Sequence, residues 1–290
     1  MRTCAAAGTN WPTMTLAMSG GTAWVACKEQ ARLVRMDLAS GRRTASVRLD
    51  GAPIAVAVGL GAVWALDTEA TLYRLDSRKA RVTKRIALNA AAAYNIWIGG
   101  GSVWVADDER RRVLRVSPSR NKVVARIAVG DGPADMVFSG KHAWVIDHRD
   151  RTLYRIDVTT NAATRMATVG QDAAERLAMA GGSLWATGRG TPLLQVDPDT
   201  GATRRTIDIG GTGVDVLAAG GVLWVPVRTF AVDRTGFPTM TALRRVTTAG
   251  TVTTAARANG RVDVNGLAAN RDSVWIADNR AGVLYRLPTS

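Results

Sequence analysis

The chain is poor in the side chains from which catalytic and metal centres are most often built. Its 290 residues include two histidines, His142 and His148, and two cysteines, Cys4 and Cys27. Two cysteines do not make a disulfide framework, and no Cys/His spacing matches a zinc site; at this level the redox state of the pair stays open. There is no G-x-S-x-G elbow, no P-loop and no H-E-x-x-H pair, so no nucleophile or phosphate motif is at hand. Lysine is scarce. Lys28, Lys79, Lys84, Lys122 and Lys141 are the only five, so 33 of the 38 basic residues are arginines. Aromatic residues make up 6% and fall mostly at repeat positions, which leaves no stacking platform for nucleic-acid bases. No apolar run approaches the ~20 residues that span a bilayer. Residues 1–20 lack a basic n-region and a continuous apolar h-region, so no signal peptide is visible. On this reading the chain is cytoplasmic, or a mature form restarted at Met1.

What the chain does have is tryptophan at a fixed interval. Trp24, Trp64, Trp104, Trp144, Trp185, Trp224 and Trp275 are separated by 40, 40, 40, 41, 39 and 51 residues. Each sits in a related frame: GGTAWVA, LGAVWAL, GGSVWVA, GKHAWVI, GGSLWAT, GGVLWVP, RDSVWIA. A period of about 40 is the size of one four-stranded propeller blade. The sequence therefore predicts an all-β, seven-bladed propeller running through residues 1–290 as a single domain.

Residues 130–170 show one repeat. A Gly-Asp-Gly-Pro turn precedes an apolar inner strand, Ala134–Phe138. A short turn leads to a second strand, Ala143–Ile146, carrying Trp144. A polar loop follows, then an alternating third strand, Leu153–Ile156, another turn, and an outer strand, Ala162–Val169. The four strands are called a to d below. The ring Trp is expected between neighbouring sheets, where a large side chain buries most area. The last repeat stops at strand c, near Leu287, while Arg2–Gly8 precedes the first strand a. The N-terminus is therefore expected to supply strand d of blade 7 and close the open edge.

Repetition also accounts for much of the +14 formal charge. Strand c carries Arg35, Arg74, Arg115, Arg155, Arg245 and Arg286, with Gln195 in the remaining blade; strand d carries Arg43, Arg85, Arg126, Arg165 and Arg205. Arginines placed by blade geometry, instead of clustered, point away from specific nucleic-acid binding, and charged outer strands discourage edge pairing.

The frames GSVWVAD (102–108), DSVWIAD (272–278) and LYRID (153–157), with turn pairs such as Gly132-Pro133, resemble the virginiamycin B lyase-like and YVTN/NHL-type seven-bladed propellers. The resemblance covers nearly the whole chain. It implies a superfamily of streptogramin lyases, which open a depsipeptide ester by magnesium-assisted elimination, and of sensor, ligand-binding and protein-binding propellers. It also implies an exported location, as for most members. The lyases work with a histidine and glutamate cluster on one face. Here His142 falls in the a–b turn, away from the usual propeller site. His148 falls in a b–c loop on the functional face, with no second His or Glu at the homologous positions of adjacent blades. The lyase cluster is not evident.

Where repetition breaks, a site is expected. Aligning the inner strands gives a ring of Thr15, Ala55, Asn95, Asp135, Arg176, Asp215 and Asn265 at the channel mouth. Two rungs deeper lie Ala17, Ala57, Trp97, Val137, Ala178, Leu217 and Leu267, where Trp97 alone is large. A polar rim over an apolar floor suits a small ligand. The competing reading makes Asp135, Arg176 and Asp215 a structural salt-bridge chain. The 51-residue interval places an extra ten residues in the blade 6 b–c loop, Val227 to Pro238, with Phe230, Arg234 and Phe237; long one-sided insertions often build binding faces.

Three functional readings follow. The first is a ligand-binding or sensor propeller, a monomer that takes a small molecule or peptide at the mouth through Asn95, Trp97, Arg176, Asn265, Phe230, Arg234 and Phe237. The second is a lyase or hydrolase acting on a small natural product or peptide ester, with Asp135, Asp215 or His148 as acid/base. The third is a protein-interaction scaffold. No cofactor is expected. Carboxylates and amides suit Mg²⁺ or Ca²⁺, but Arg176 between the carboxylates argues against a metal.

Overall fold

The computed structural model describes residues 4, 14–170, 172, 174–228, 240–262, 264–278 and 281–289. The fold is a seven-bladed β-propeller of antiparallel sheets, with two three-residue 3-10 turns, Lys28–Gln30 and Asp108–Arg110. Blade 1 runs Met14–Ser19, Thr22–Cys27, Arg32–Asp37, Arg43–Arg48. Blade 2 runs Pro53–Gly59, Ala62–Asp67, Thr71–Asp76, Arg81–Ala87, and blade 3 Ala93–Gly99, Ser102–Asp107, Arg112–Ser117, Lys122–Ala128. Blade 4 runs Pro133–Ser139, His142–Asp147, Thr152–Asp157, Ala163–Thr168, and blade 5 Arg176–Ala180, Ser183–Gly188, Thr191–Val196, Thr203–Ile207. In blade 6 the inner strand comes in two pieces, Thr212–Gly213 and Leu217–Ala219, followed by Val222–Arg228, Met240–Thr247 and Val252–Val262. Blade 7 shows three strands among the described residues: Val264–Ala269, Ser273–Asp278 and Val283–Pro288.

These strands fall into two compact units. One holds Met1–Ile127 and Asn265–Ser290, the other Ala128–Val264. In the first, the inner strands of blades 1, 2 and 3 lie side by side and blade 7 borders blade 1. In the second, the inner strands of blades 4, 5 and 6 do the same.

Sequence pattern explains each strand's place. Strand b is apolar at its centre and buried at every position in blades 2, 3, 5 and 7, because neighbouring sheets cover both its faces. Strand d alternates or is largely exposed, as an outer edge should be. Five repeat tryptophans pack on the next blade: Trp24 with Val63 and Ala65, Trp64 with Val103 and Val105, Trp144 with Leu177 and Ala186, Trp185 with Leu223 and Val225, and Trp275 with Ala23 and Val25. Burying one such ring contributes about 4–6 kcal/mol as an upper estimate from area.

The register repeats as well. Strand c's basic residue stands opposite the Trp in six blades, as Trp24↔Arg35, Trp64↔Arg74 and Trp104↔Arg115 show, with Gln195 opposite Trp185. The guanidinium carbon lies 5.9, 5.5, 5.2 and 5.8 Å from the Trp ring in blades 1, 2, 3 and 7, a cation–π arrangement. From there some arginines reach the c–d turn of the following blade. Arg35 donates to the carbonyls of Ser77 and Arg78, and Arg74 to the carbonyl of Pro118 and to Asn121 Oδ1. These arginines are staples between sheets.

A second device sits three residues after the Trp. Asp67, Asp107, Asp147 and Asp278 are almost fully buried there. Each carboxylate accepts hydrogen bonds from its own b–c loop, the following strand or the preceding d–a loop. Asp147 takes the backbone N–H groups of Arg149, Asp150 and Gly132, and Asp107 those of Ala91 and Ala92 with Arg112 Nε. Asp67 takes the Tyr73 hydroxyl, whose pKa burial and that carboxylate push up to about 12. The fit is tight: a Cβ at Gly130 would stand 2.1 Å from Asp147 Oδ2.

The expected closing strand Arg2–Gly8 lies outside the described residues, Cys4 excepted. Cys4 is bonded to Cys27 with the Cα atoms 5.6 Å apart. The blade 6 loop residues Phe230, Arg234 and Phe237 also lie outside the described residues. No described helix is long and apolar enough to cross a membrane.

Candidate functional site

Four residues of the aligned ring stand in equivalent register on their inner strands. Thr15 stands opposite Ala26, Ala55 opposite Leu66, Asp135 opposite Ile146 and Arg176 opposite Thr187, always two residues past the blade Trp. The deeper row pairs with the Trp itself: Ala17↔Trp24, Ala57↔Trp64, Trp97↔Trp104, Val137↔Trp144, Ala178↔Trp185 and Leu217↔Trp224. Trp97 thus lays a second indole beside the repeat indole of blade 3.

In the second unit three ring members form one ledge. Asp135 Oδ2 accepts from the backbone N–H of Leu177 at 2.8 Å, and its Oδ1 from Met136 N. Arg176 opens strand a of blade 5, donating Nη1 to the carbonyl of Glu175 at 3.0 Å, with Nε 3.8 Å from Asp215 Oδ1. Asp215 sits in the break of the blade 6 inner strand, where its Oδ1 accepts from Val216 N. A guanidinium has five N–H donors. One is committed at hydrogen-bond distance and a second faces a carboxylate loosely, and the side chain is a third exposed. The carboxylates are tied to backbone; the cation between them is held lightly.

His148 docks on its own blade. Its Nδ1 donates to the carbonyl of Gly132 at 2.9 Å, and its backbone N–H donates to the same oxygen. That bond fixes the proton on Nδ1 in the neutral ring and leaves Nε2 as the acceptor. His142, expected in the a–b turn, is the first residue of strand b and meets Trp144 edge-on, with ring centroids 5.8 Å apart.

In the first unit, Asn95 is the third residue of Ala93–Gly99, close to a bulge opposite Val105–Asp107. Thr15 carries a buried hydroxyl with no hydrogen-bond partner among the described residues. Asn265 lies on the blade 7 inner strand Val264–Ala269. Two residues escaped the sequence reading. Tyr94, beside Asn95, is 54% exposed on a strand whose other apolar residues are buried or partly buried. Glu175, beside Arg176, pairs with Arg189 at 3.5 Å. Both stand one position before a ring member, so a look at the flanks of each exception would have found them.

Among the described residues, no three His, Cys, Asp or Glu side chains gather in a way that could hold a metal ion. The ledge does not fit the magnesium that the lyase resemblance implies. Its carboxylates are engaged by backbone N–H groups, and a guanidinium stands between them.

No family model matches the chain, and a search of curated proteins gives no sequence match. Solved structures match over almost the full length. Selenomethionine-substituted virginiamycin B lyase from Staphylococcus aureus superimposes with a TM-score of 0.79 at 16% identity, covering 97% of this chain and 96% of that one. The fold is that of the virginiamycin B lyases. A catalytically inactive histidine-to-alanine form of the S. aureus enzyme with quinupristin gives 0.77 at 15% identity, over 96% of each chain. BamB from Moraxella catarrhalis gives 0.65 at 12% identity, over 95% of this chain and 82% of that one. At such identities the likeness establishes architecture and leaves chemistry to the residues.

Proposed function

We propose that the protein is a binding propeller for a small polar ligand, anchored on Arg176. The observation that supports this most is the loosely held guanidinium between two backbone-tied carboxylates. A carboxylate or phosphate on the ligand would take the remaining N–H donors. The ledge of Asp135, Arg176 and Asp215 carries one net negative charge, which disfavours a bare polyanion. It favours a ligand that combines an acid with a hydrogen-bond donor, such as an amino acid or a peptide terminus. The test is calorimetry with amino acids, short peptides and inorganic phosphate on wild type and Arg176→Ala. Binding that survives Arg176→Ala unchanged overturns the reading.

A second reading is enzymatic and rests on His148. Its Nε2 is oriented as an acceptor by the Gly132 bond, the geometry of a general base, and the fold is shared with enzymes that open a depsipeptide ring. Quinupristin serves as the probe. Ring opening by wild type and its loss in His148→Ala would favour this reading. Binding without turnover would favour the first.

A further inference from the structure

We propose that Cys4 and Cys27 form a covalent clasp between blades 7 and 1, and that the chain is built to acquire it by disulfide exchange in an oxidising compartment. Cys27 stands three residues after Trp24, the slot that Asp67, Asp107, Asp147 and Asp278 fill in blades 2, 3, 4 and 7. In those blades a buried carboxylate gathers the loops by hydrogen bonds. Blade 1 has a sulfur there, and its partner comes from 23 residues earlier in the chain.

Cys4 has two sets of neighbours. Through its sulfur it is fixed to strand b of blade 1. It also packs in one apolar cluster with Trp275, Ala277 and Leu284 of blade 7 and with Ala23, Val25, Val34 and Met36 of blade 1. Its carbonyl oxygen lies 3.0 Å from where a Cβ at Gly282 would stand, just before the last strand of blade 7. Gly282 has φ of 63°, so both its conformation and the space suit glycine. The bond thus joins two blades at opposite ends of the sequence. Both cysteines are used in it and both are buried, at 8% and 2% exposure. Buried thiols paired to each other belong to oxidising compartments far more than to a reducing cytoplasm.

The chemistry balances as an exchange. The two thiols lose two protons and two electrons as the sulfur–sulfur bond forms. A disulfide donor, either a thiol–disulfide oxidoreductase or oxidised glutathione, takes them up and leaves as two thiols.

The full chain should be compared in two states, oxidised and reduced. The reduced state is made by unfolding with dithiothreitol and refolding in its presence. Thiol titration in denaturant should find none in the oxidised form and two in the reduced form. The melting temperature should fall by roughly 5–10 °C on reduction, from the loop closed by a bond across 23 residues. Oxidised glutathione should restore the wild type and leave Cys4→Ala at the lower value. Two titratable thiols after glutathione treatment, or equal melting temperatures for the two states, would overturn the proposal. The wild-type arm decides even where Cys4→Ala fails to fold.

Discussion

Asp135 holds the strand that carries Arg176: its Oδ2 accepts the backbone N–H of Leu177, the next residue, at 2.8 Å. The acid and the cation of the ledge therefore do different jobs. Asp135→Ala should destabilise the protein by about 1–3 kcal/mol, since a part-buried N–H loses its acceptor. Arg176→Ala should cost under about 1 kcal/mol, because its pairing is long, at 3.8 Å, and the guanidinium is a third exposed to solvent. Urea denaturation gives both values. If Arg176→Ala proves the more damaging, the ledge is a salt-bridge chain and the binding role falls.

The carboxylate locks leave no room at their glycines. In Gly130→Ala the new Cβ would meet Asp147 Oδ2, which must move and release the N–H of Gly132, now 2.6 Å away. A loss of about 2 kcal/mol or more is expected. Gly140→Ala, in an a–b turn with nothing within 4 Å of the new Cβ, should cost about 1 kcal/mol from its φ of 56° alone. Equal melting temperatures for the two variants would show that the lock yields freely.

Acid should act first at the c–d turns. Asp37, Asp76 and Asp157 are held below the usual carboxylate range, chiefly by hydrogen bonds from residues two or three places on. Asp197 is lowered to about 2 by the N–H of Thr200 and by Arg204. A depressed folded-state value stabilises above the unfolded value and is lost as pH falls through the folded one. Stability should thus be flat above pH 5 and decline from about pH 4 to pH 2. Asp197→Asn should flatten part of that decline, as read by melting temperature against pH. An unaltered acid slope would mean that these turns contribute nothing to it.

Arg74 makes three separate contacts across two blades: the Trp64 ring, the Pro118 carbonyl and Asn121. Arg74→Ala should destabilise by about 1–3 kcal/mol, whereas exposed Arg43 on an outer strand should tolerate Ala within about 0.5 kcal/mol. Lys at position 74 should recover only part of the loss, since an ammonium lacks the planar fork. Full recovery with Lys would reduce the staple to simple charge.

The period of the tryptophans made the blades legible, and with them strand order and the register of Asp135 and Arg176. That works because one Trp per repeat fixes the phase of every strand around it. Blade 6 shows where phase stops being enough. Its inner strand breaks around Asp215, and the extra residues that include Phe230, Arg234 and Phe237 have no counterpart in the repeat. Asp147 was legible only as a loop residue beside His148; its burial depends on N–H groups from two loops that no linear pattern displays. The Cys4–Cys27 pairing was not legible either, since a separation in sequence says nothing of proximity in space. The exposure of Tyr94 was not legible, since an aromatic on an inner strand reads as core until the neighbouring sheets are in place.

Cys4 and Leu284 share one apolar cluster, so residues 280 positions apart in sequence meet inside the fold. A short linker between the present ends, with a new start in the exposed turn at Ser77–Ala80, would give a circular permutant with every strand retained. In that molecule the bond between Cys4 and Cys27 would sit in the middle of the polypeptide and clasp no terminus. The covalent closure and the strand order could then be varied separately.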